Sequence, residues 1–139
     1  MMSANNPSLE STIKHLKEVR LQLLHLHKAL LDSERNVYEQ LHGRIASKGE
    51  FLRLVVEDDW FSWLRSISQL IVEIDENLSA KEPINLNTAT ELLQTVQKLL
   101  QPTEEGTPLQ MRYHDAIQRD VDIAFMHAQI YSSLTHKNQ

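Results

Sequence analysis

The stretch from Asp59 to Asn77 constrains the fold more than any other. Trp60, Leu64, Ile67, Ile71, Ile74 and Leu78 follow one another at steps of 4, 3, 4, 3 and 4 residues. That alternation is the seam of a helix packed lengthwise against other helices. Phe61 and Val72 widen the apolar surface on one side, and Trp63 and Leu70 on the other. A helix apolar over most of its circumference is expected to be covered by several neighbours. Asp58 or Asp59 is the expected N-cap, because a short carboxylate accepts the free N–H groups of a first turn. The pattern predicts a central helix over 59–79. Arg65, Ser68 and Asp75 share the Phe61 flank, which makes Arg65 and Asp75 candidates for a buried polar pair.

The other segments read as helices too. Residues 1–7 are expected to be a disordered tail. Ser8 or Ser11 opens a long helix over 8–42, and Gly43 stops it. Leu9, Leu16, Leu23, Leu30 and Val37 repeat at seven residues, helped by Ile13, Val19, Leu26 and Leu41. A second stripe, Leu21, Leu24 and Leu31, lies on another side of the same helix, among Lys17, Lys28 and Arg35. Residues 43–49 form a loop, and Phe51–Val56 suggests a short helix over 50–57, with a short strand as the competing reading. Beyond Pro83, Asn87 or Thr88 caps a helix over 87–101, with Glu91 completing a capping box. Pro102–Pro108 is an acidic loop whose Glu104 and Glu105 are expected to be solvated. A last helix covers 109–133, with stripes Tyr113, Ile117, Val121, Ala124, Ala128, Tyr131 and Ala116, Ile123, His127, Ile130, Leu134. A break at Arg119–Asp120 would let Asp120 recap the chain. Residues 136–139 are expected to fray. The expected fold is all-α: one domain over 8–135, an antiparallel bundle of four principal helices (8–42, 59–79, 87–101, 109–133) plus the short one.

Composition removes several functions. A chain of 139 residues suits one domain. There is no cysteine, so disulfides, thiolate metal sites and thiol nucleophiles are excluded. The formal charge of −5 argues against a large basic face for nucleic acid. No apolar run approaches the roughly 20 residues of a membrane span. The N-terminal residues lack the pattern of a secretory signal, so a cytoplasmic protein is expected.

Catalytic signatures are missing. No serine sits in a Gly-x-Ser-x-Gly turn, no glycine-rich phosphate cradle occurs, and neighbouring carboxylates such as Asp75 and Glu76 point apart on a helix. Three weaker groupings stand out. His27, Glu34 and Tyr38 make a polar strip beside the core stripe of the first helix. Facing Arg65, Asp75 and His127, that strip would form either a ligand pocket inside the bundle or a structural network that fixes helix register. Glu39 and His42 have the Glu-x-x-His spacing of bundle metal sites, but in one copy only, and His42 also suits a helix C-terminus. Trp60, Phe61 and Trp63 are either a hydrophobic plug or a partner groove.

The runs Leu26–Glu39, Trp60–Glu76 and Pro102–Gly106 resemble a group of small, all-helical bacterial proteins without an assigned activity, over most of residues 20–130. The resemblance implies a bacterial source and a helical fold, and nothing about chemistry. The reading is a non-enzymatic interaction or regulatory module without a cofactor. It would bind a protein partner or form a homodimer, with Leu21, Leu24, Leu31, Trp60, Phe61 and Trp63 as candidate interface. The alternatives are a small-molecule or metal-binding bundle built on the polar strip, and an enzyme of unknown class.

Overall fold

The computed structural model describes residues 8–135, so the tails at 1–7 and 136–139 lie outside the described residues. It is all-helical, with no strand among those residues. The elements are α1 (Leu9–His42), α2 (Lys48–Glu57), a 3-10 helix (Asp59–Leu64), α3 (Arg65–Ser79), α4 (Leu86–Leu99), α5 (Pro108–Arg119) and α6 (Val121–Thr135).

The long first helix is the element around which the others assemble: α3, α4, α5, α6 and the 3-10 helix all pack on it. Ser8 caps it, its hydroxyl accepting from the Ser11 N–H at 3.0 Å. Gly43, at φ +90°, ends it with an N–H donated to the Glu39 carbonyl. A positive φ is cheap only for glycine, so the stop is local chemistry. Leu16, Val19, Leu23, Leu26 and Leu30 form the fully buried stripe. The expected seven-residue seam fails at its ends. Leu9 and Leu41 are exposed, Ile13 and Val37 half-buried, because the neighbouring helices do not cover the whole length of α1.

The central segment departs from one continuous α-helix. Asp58 accepts from the Trp60 N–H at 2.8 Å and starts a tighter 3-10 helix before α3 begins at Arg65. Side chains three residues apart eclipse in a 3-10 helix. Phe61 and Leu64 therefore enter the core together, while Trp63 is buried beside them and Trp60 is half-buried. An α-helix would spread residues three apart by about 60°. In α3, Ile67, Leu70, Ile71 and Ile74 continue the core, and Val72 is exposed.

Two further boundaries differ from expectation, and the break expected at Arg119–Asp120 is present. The short segment 50–57 is a helix, two residues longer at its start because Ser47 caps it at 3.1 Å from the Glu50 N–H. Helix α4 is capped by Asn85, which accepts from the Thr88 N–H at 2.8 Å, so Thr88 and Glu91 form no capping box there. Ile84 and Ala89, both buried, occupy the staple positions that hold this entry. The capping box belongs to α5, where Thr107 and Gln110 bond reciprocally at 3.1 and 3.0 Å around Pro108. The last segment is broken at Asp120, whose Oδ1 accepts from the Asp122 N–H at 3.0 Å. One non-helical residue resets the helical phase. Val121 and Tyr131, expected on the buried stripe, are exposed as a result, while Ile123, Ile130 and Leu134 are buried.

Candidate functional site

Glu34 is the one fully buried ionisable carboxylate that the described core holds. It comes four residues after Leu30 on the buried stripe of α1, so its burial follows from position on the helix. A carboxylate in such a place needs charged and hydrogen-bonded partners. Arg112 of α5 donates to Oε1 at 2.7 Å, and Trp63 Nε1 donates to the same oxygen at 3.2 Å. Arg119, at the end of α5, bonds Oε2 and also donates from Nε to Ser33 Oγ at 3.0 Å. The Arg112 guanidinium further lies 5.0 Å from the Trp60 ring and 6.0 Å from that of Trp63. The two tryptophans of the 3-10 helix thus flank the same cation that Glu34 neutralises. Chemically, the group is saturated. Both carboxylate oxygens accept charge-assisted bonds, which leaves no free base and ties α1, the 3-10 helix and α5 together.

The other members of the expected polar strip are placed elsewhere. Arg65 and Asp75 do not pair. Asp75 bonds Arg20 of α1, and Arg65 donates to the Asp58 carbonyl at 3.2 Å. Ten residues along a helix separate their Cα atoms by about 15 Å, too far for either to reach the other. His127 Nδ1 meets the buried Tyr113 hydroxyl at 2.8 Å, linking α6 to α5. Burial holds the imidazoles of His127 and His27 below their ordinary value and pushes the Tyr113 phenol up. Tyr38 stacks on His42 with ring centroids 4.3 Å apart, and both meet Trp60 edge-on at 5.8 and 5.7 Å. The strip is therefore divided among separate contacts. Among the open clefts that lie apart from Glu34 itself are two of similar size. One of about 400 Å³ lies between α1 and the start of α6, lined by Asp32, Asp122 and Phe125 among others. The other, of about 390 Å³, lies beside Arg20 and Asp75.

Glu39 and His42 have structural partners. Glu39 Oε2 accepts from the Ile45 N–H at 2.8 Å and holds the loop after α1. His42 Nδ1 lies 3.2 Å from the Tyr38 carbonyl. Among the described residues no three His, Asp or Glu side chains converge on a common point where a metal could sit.

The candidate interface also divides. Phe61 is fully buried and Trp63 nearly so, which makes them core residues and removes them from any free surface. Trp60 is half-buried beneath Arg112, Tyr38 and His42. Leu31 packs partly against the core. Leu21 and Leu24 remain exposed, at 48% and 40%.

Arg20, Arg112, Arg119 and Ser33 were not singled out by sequence. A signal existed for two of them: Arg112 and Arg119 are seven residues apart on one helix face, the spacing that lets two cations reach one buried acid. No helix among the described residues is long and apolar enough to cross a membrane. Neither a protein-family model, nor a curated protein, nor a solved structure matches this chain.

Proposed function

We propose that this chain is a non-enzymatic protein-interaction module that self-associates through α1. The observation that carries the reading is the exposure of Leu21 and Leu24 in the middle of the longest helix, turned away from its buried stripe. Leu21 and Leu24 are neighbours one turn apart and so form one contiguous apolar patch, the kind of feature that marks an interaction surface. The polar groups support the same reading from the other side. Glu34 is neutralised by two arginines and Asp75 by Arg20, as in a network that fixes packing.

The scaffold of this reading is an antiparallel bundle of four principal helical segments. The order of the cross-links supports it. Arg20 meets Asp75 while Glu34 meets Trp63, so positions rising along α1 meet positions falling along the central segment. Likewise His15 meets Ser133 whereas Ser33 meets Arg119. The formal charge of −5 supports a protein partner over nucleic acid. A bacterial, cytoplasmic setting belongs to the same reading.

The test is sedimentation of the protein and of the Leu21→Glu, Leu24→Glu double variant. The expected result is a dimer that becomes a monomer with an unchanged far-ultraviolet circular-dichroism spectrum and a lower melting temperature, since the dimer no longer stabilises the fold by mass action. A wild-type chain that stays monomeric at every concentration overturns the reading. So does a double variant that loses its fold, since the leucines would then be core residues.

A further inference from the structure

The solvent side of α1 carries a second seam. Lys14, Glu18, Leu21, His25, Lys28 and Asp32 follow at steps of 4, 3, 4, 3 and 4 residues, and all six are exposed. They form one line along the helix, roughly 28 Å long at 1.5 Å per residue. Leu24 stands beside the line, next to Leu21 and Lys28.

The order of charges along this line is self-complementary about the level of Leu23. Lys14 and Asp32 lie equally far on either side of it, as do Glu18 and Lys28, and Leu21 and His25. We infer that α1 binds a second copy of itself antiparallel, about a two-fold axis level with Leu23. Lys14 then faces Asp32 of the partner copy, Glu18 faces its Lys28, and Leu21 faces its His25. Two-fold symmetry makes every pair occur twice, so four opposite-charge pairs flank a central patch of leucines. The inference rests on the self-association proposed above and names its geometry.

The competing arrangements are worse. A parallel contact puts Lys14, Glu18, Lys28 and Asp32 each against its own copy, like charge on like. Sliding the antiparallel pair by one heptad sets Lys14 against His25 and Glu18 against Leu21 in one direction. In the other it sets Lys28 against His25 and Asp32 against Leu21. Among these arrangements, only the register centred on Leu23 pairs the four charged residues of the line and keeps the leucines together. The existing Lys28–Asp32 bridge, at 3.2 Å, does not oppose it. Its side chains are largely exposed, and such a pair within one helix is held weakly enough to exchange partners. A contact built from few leucines and many exposed charges weakens as salt screens it.

The absence of cysteine makes the register directly readable. Leu21→Cys and His25→Cys variants are purified separately, then oxidised alone and as an equal mixture. The expected result is a disulfide-linked dimer at least about fivefold more abundant in the mixture than in either variant alone, because only unlike positions face each other across the axis. In parallel, sedimentation should show that Lys28→Glu weakens the wild-type dimer about tenfold at low salt and that adding Glu18→Lys restores it. A wild-type chain that remains a 16.1 kDa monomer at low salt overturns both the self-association and this geometry. A dimer in which either single-cysteine variant cross-links as well as the mixture overturns the register alone. A charge swap that fails to restore the dimer overturns it in the same way.

Discussion

Arg112 on α5 donates to the fully buried Glu34 on α1 at 2.7 Å, joining residues 78 positions apart in the chain. Its guanidinium also sits against Trp60, and Arg119 holds the other oxygen of the same carboxylate. The energetics of this cluster are asymmetric. The two arginines are about one-third exposed, at 36% and 31%, and can be rehydrated if Glu34 is lost, whereas Glu34 has no route to water if they are lost.

Urea unfolding reads that asymmetry. Glu34→Gln should cost about 1–3 kcal/mol. Arg112→Met combined with Arg119→Met should cost more, about 3–5 kcal/mol, because it strands a buried charge. Adding Glu34→Leu to the two methionines should recover part of that loss. Equal costs for the single and the double variant would mean that Glu34 is hydrated and that the clamp is not closed.

The two tryptophans separate a paired N–H from an unpaired one. Trp63 Nε1 donates to Glu34, while Trp60 Nε1 is buried without a hydrogen-bond partner among the described residues. Trp63→Phe should therefore destabilise by about 1–2 kcal/mol more than Trp60→Phe. Phenylalanine at 60 still offers a ring face to Arg112. Thermal melts that rank the two variants in the opposite order would contradict the hydrogen bond to Glu34.

Acid should weaken the fold through His27 and His127. Burial lowers both from the ordinary 6.5 in the folded state. At a pH just below 6.5 the unfolded chain binds protons at these positions and the folded chain does not. Stability is therefore fully present above about pH 6.5 and is lost as the pH falls from there towards the folded-state values. The double variant His27→Leu, His127→Gln keeps a hydrogen-bonding group opposite Tyr113 and should lose less stability between pH 7.5 and 5.5 than the parent. Parallel melting-temperature profiles for the two proteins would rule these imidazoles out as the cause.

Gly106 guards the start of α5. A Cβ there would collide with Gln110 Oε1 and come within 2.8 Å of the Thr103 side chain. Gly106→Ala should push the Gln110 side chain off the Thr107 N–H and cost about 1 kcal/mol, the worth of a cap. Gln110→Ala alone should cost a similar amount, and combining the two should add little, since both break the same bond. Additive losses in denaturation would show that the glycine acts elsewhere.

Helix content was legible in the sequence because it is written in local terms. The alternation of apolar residues in 59–79, the Gly43 stop, the Asp58 cap and the break at Asp120 each depend on residues within a turn or two of one another. Such signals survive without knowledge of the rest of the chain. The stretch Asp59–Leu64 was legible as helix but not as 3-10, since its tighter winding serves the joint placement of Phe61 and Leu64 in the core and Trp60 and Trp63 around Arg112. Glu34 was visible as an acid beside an apolar stripe. Its partners were not: choosing Arg112 and Arg119 over Arg65 required knowing which helix face lies across from α1. The same holds for the leucines. Leu21, Leu24 and Leu31 form one stripe in sequence, yet the packed helices leave Leu31 half-buried against the core and the first two in water. Where helices begin, end and turn apolar follows from hydrogen bonds and side chains a few residues apart, and so is written locally in the chain. Which charges meet and which apolar faces stay uncovered depends on segments tens of residues away, and is set only when the helices pack.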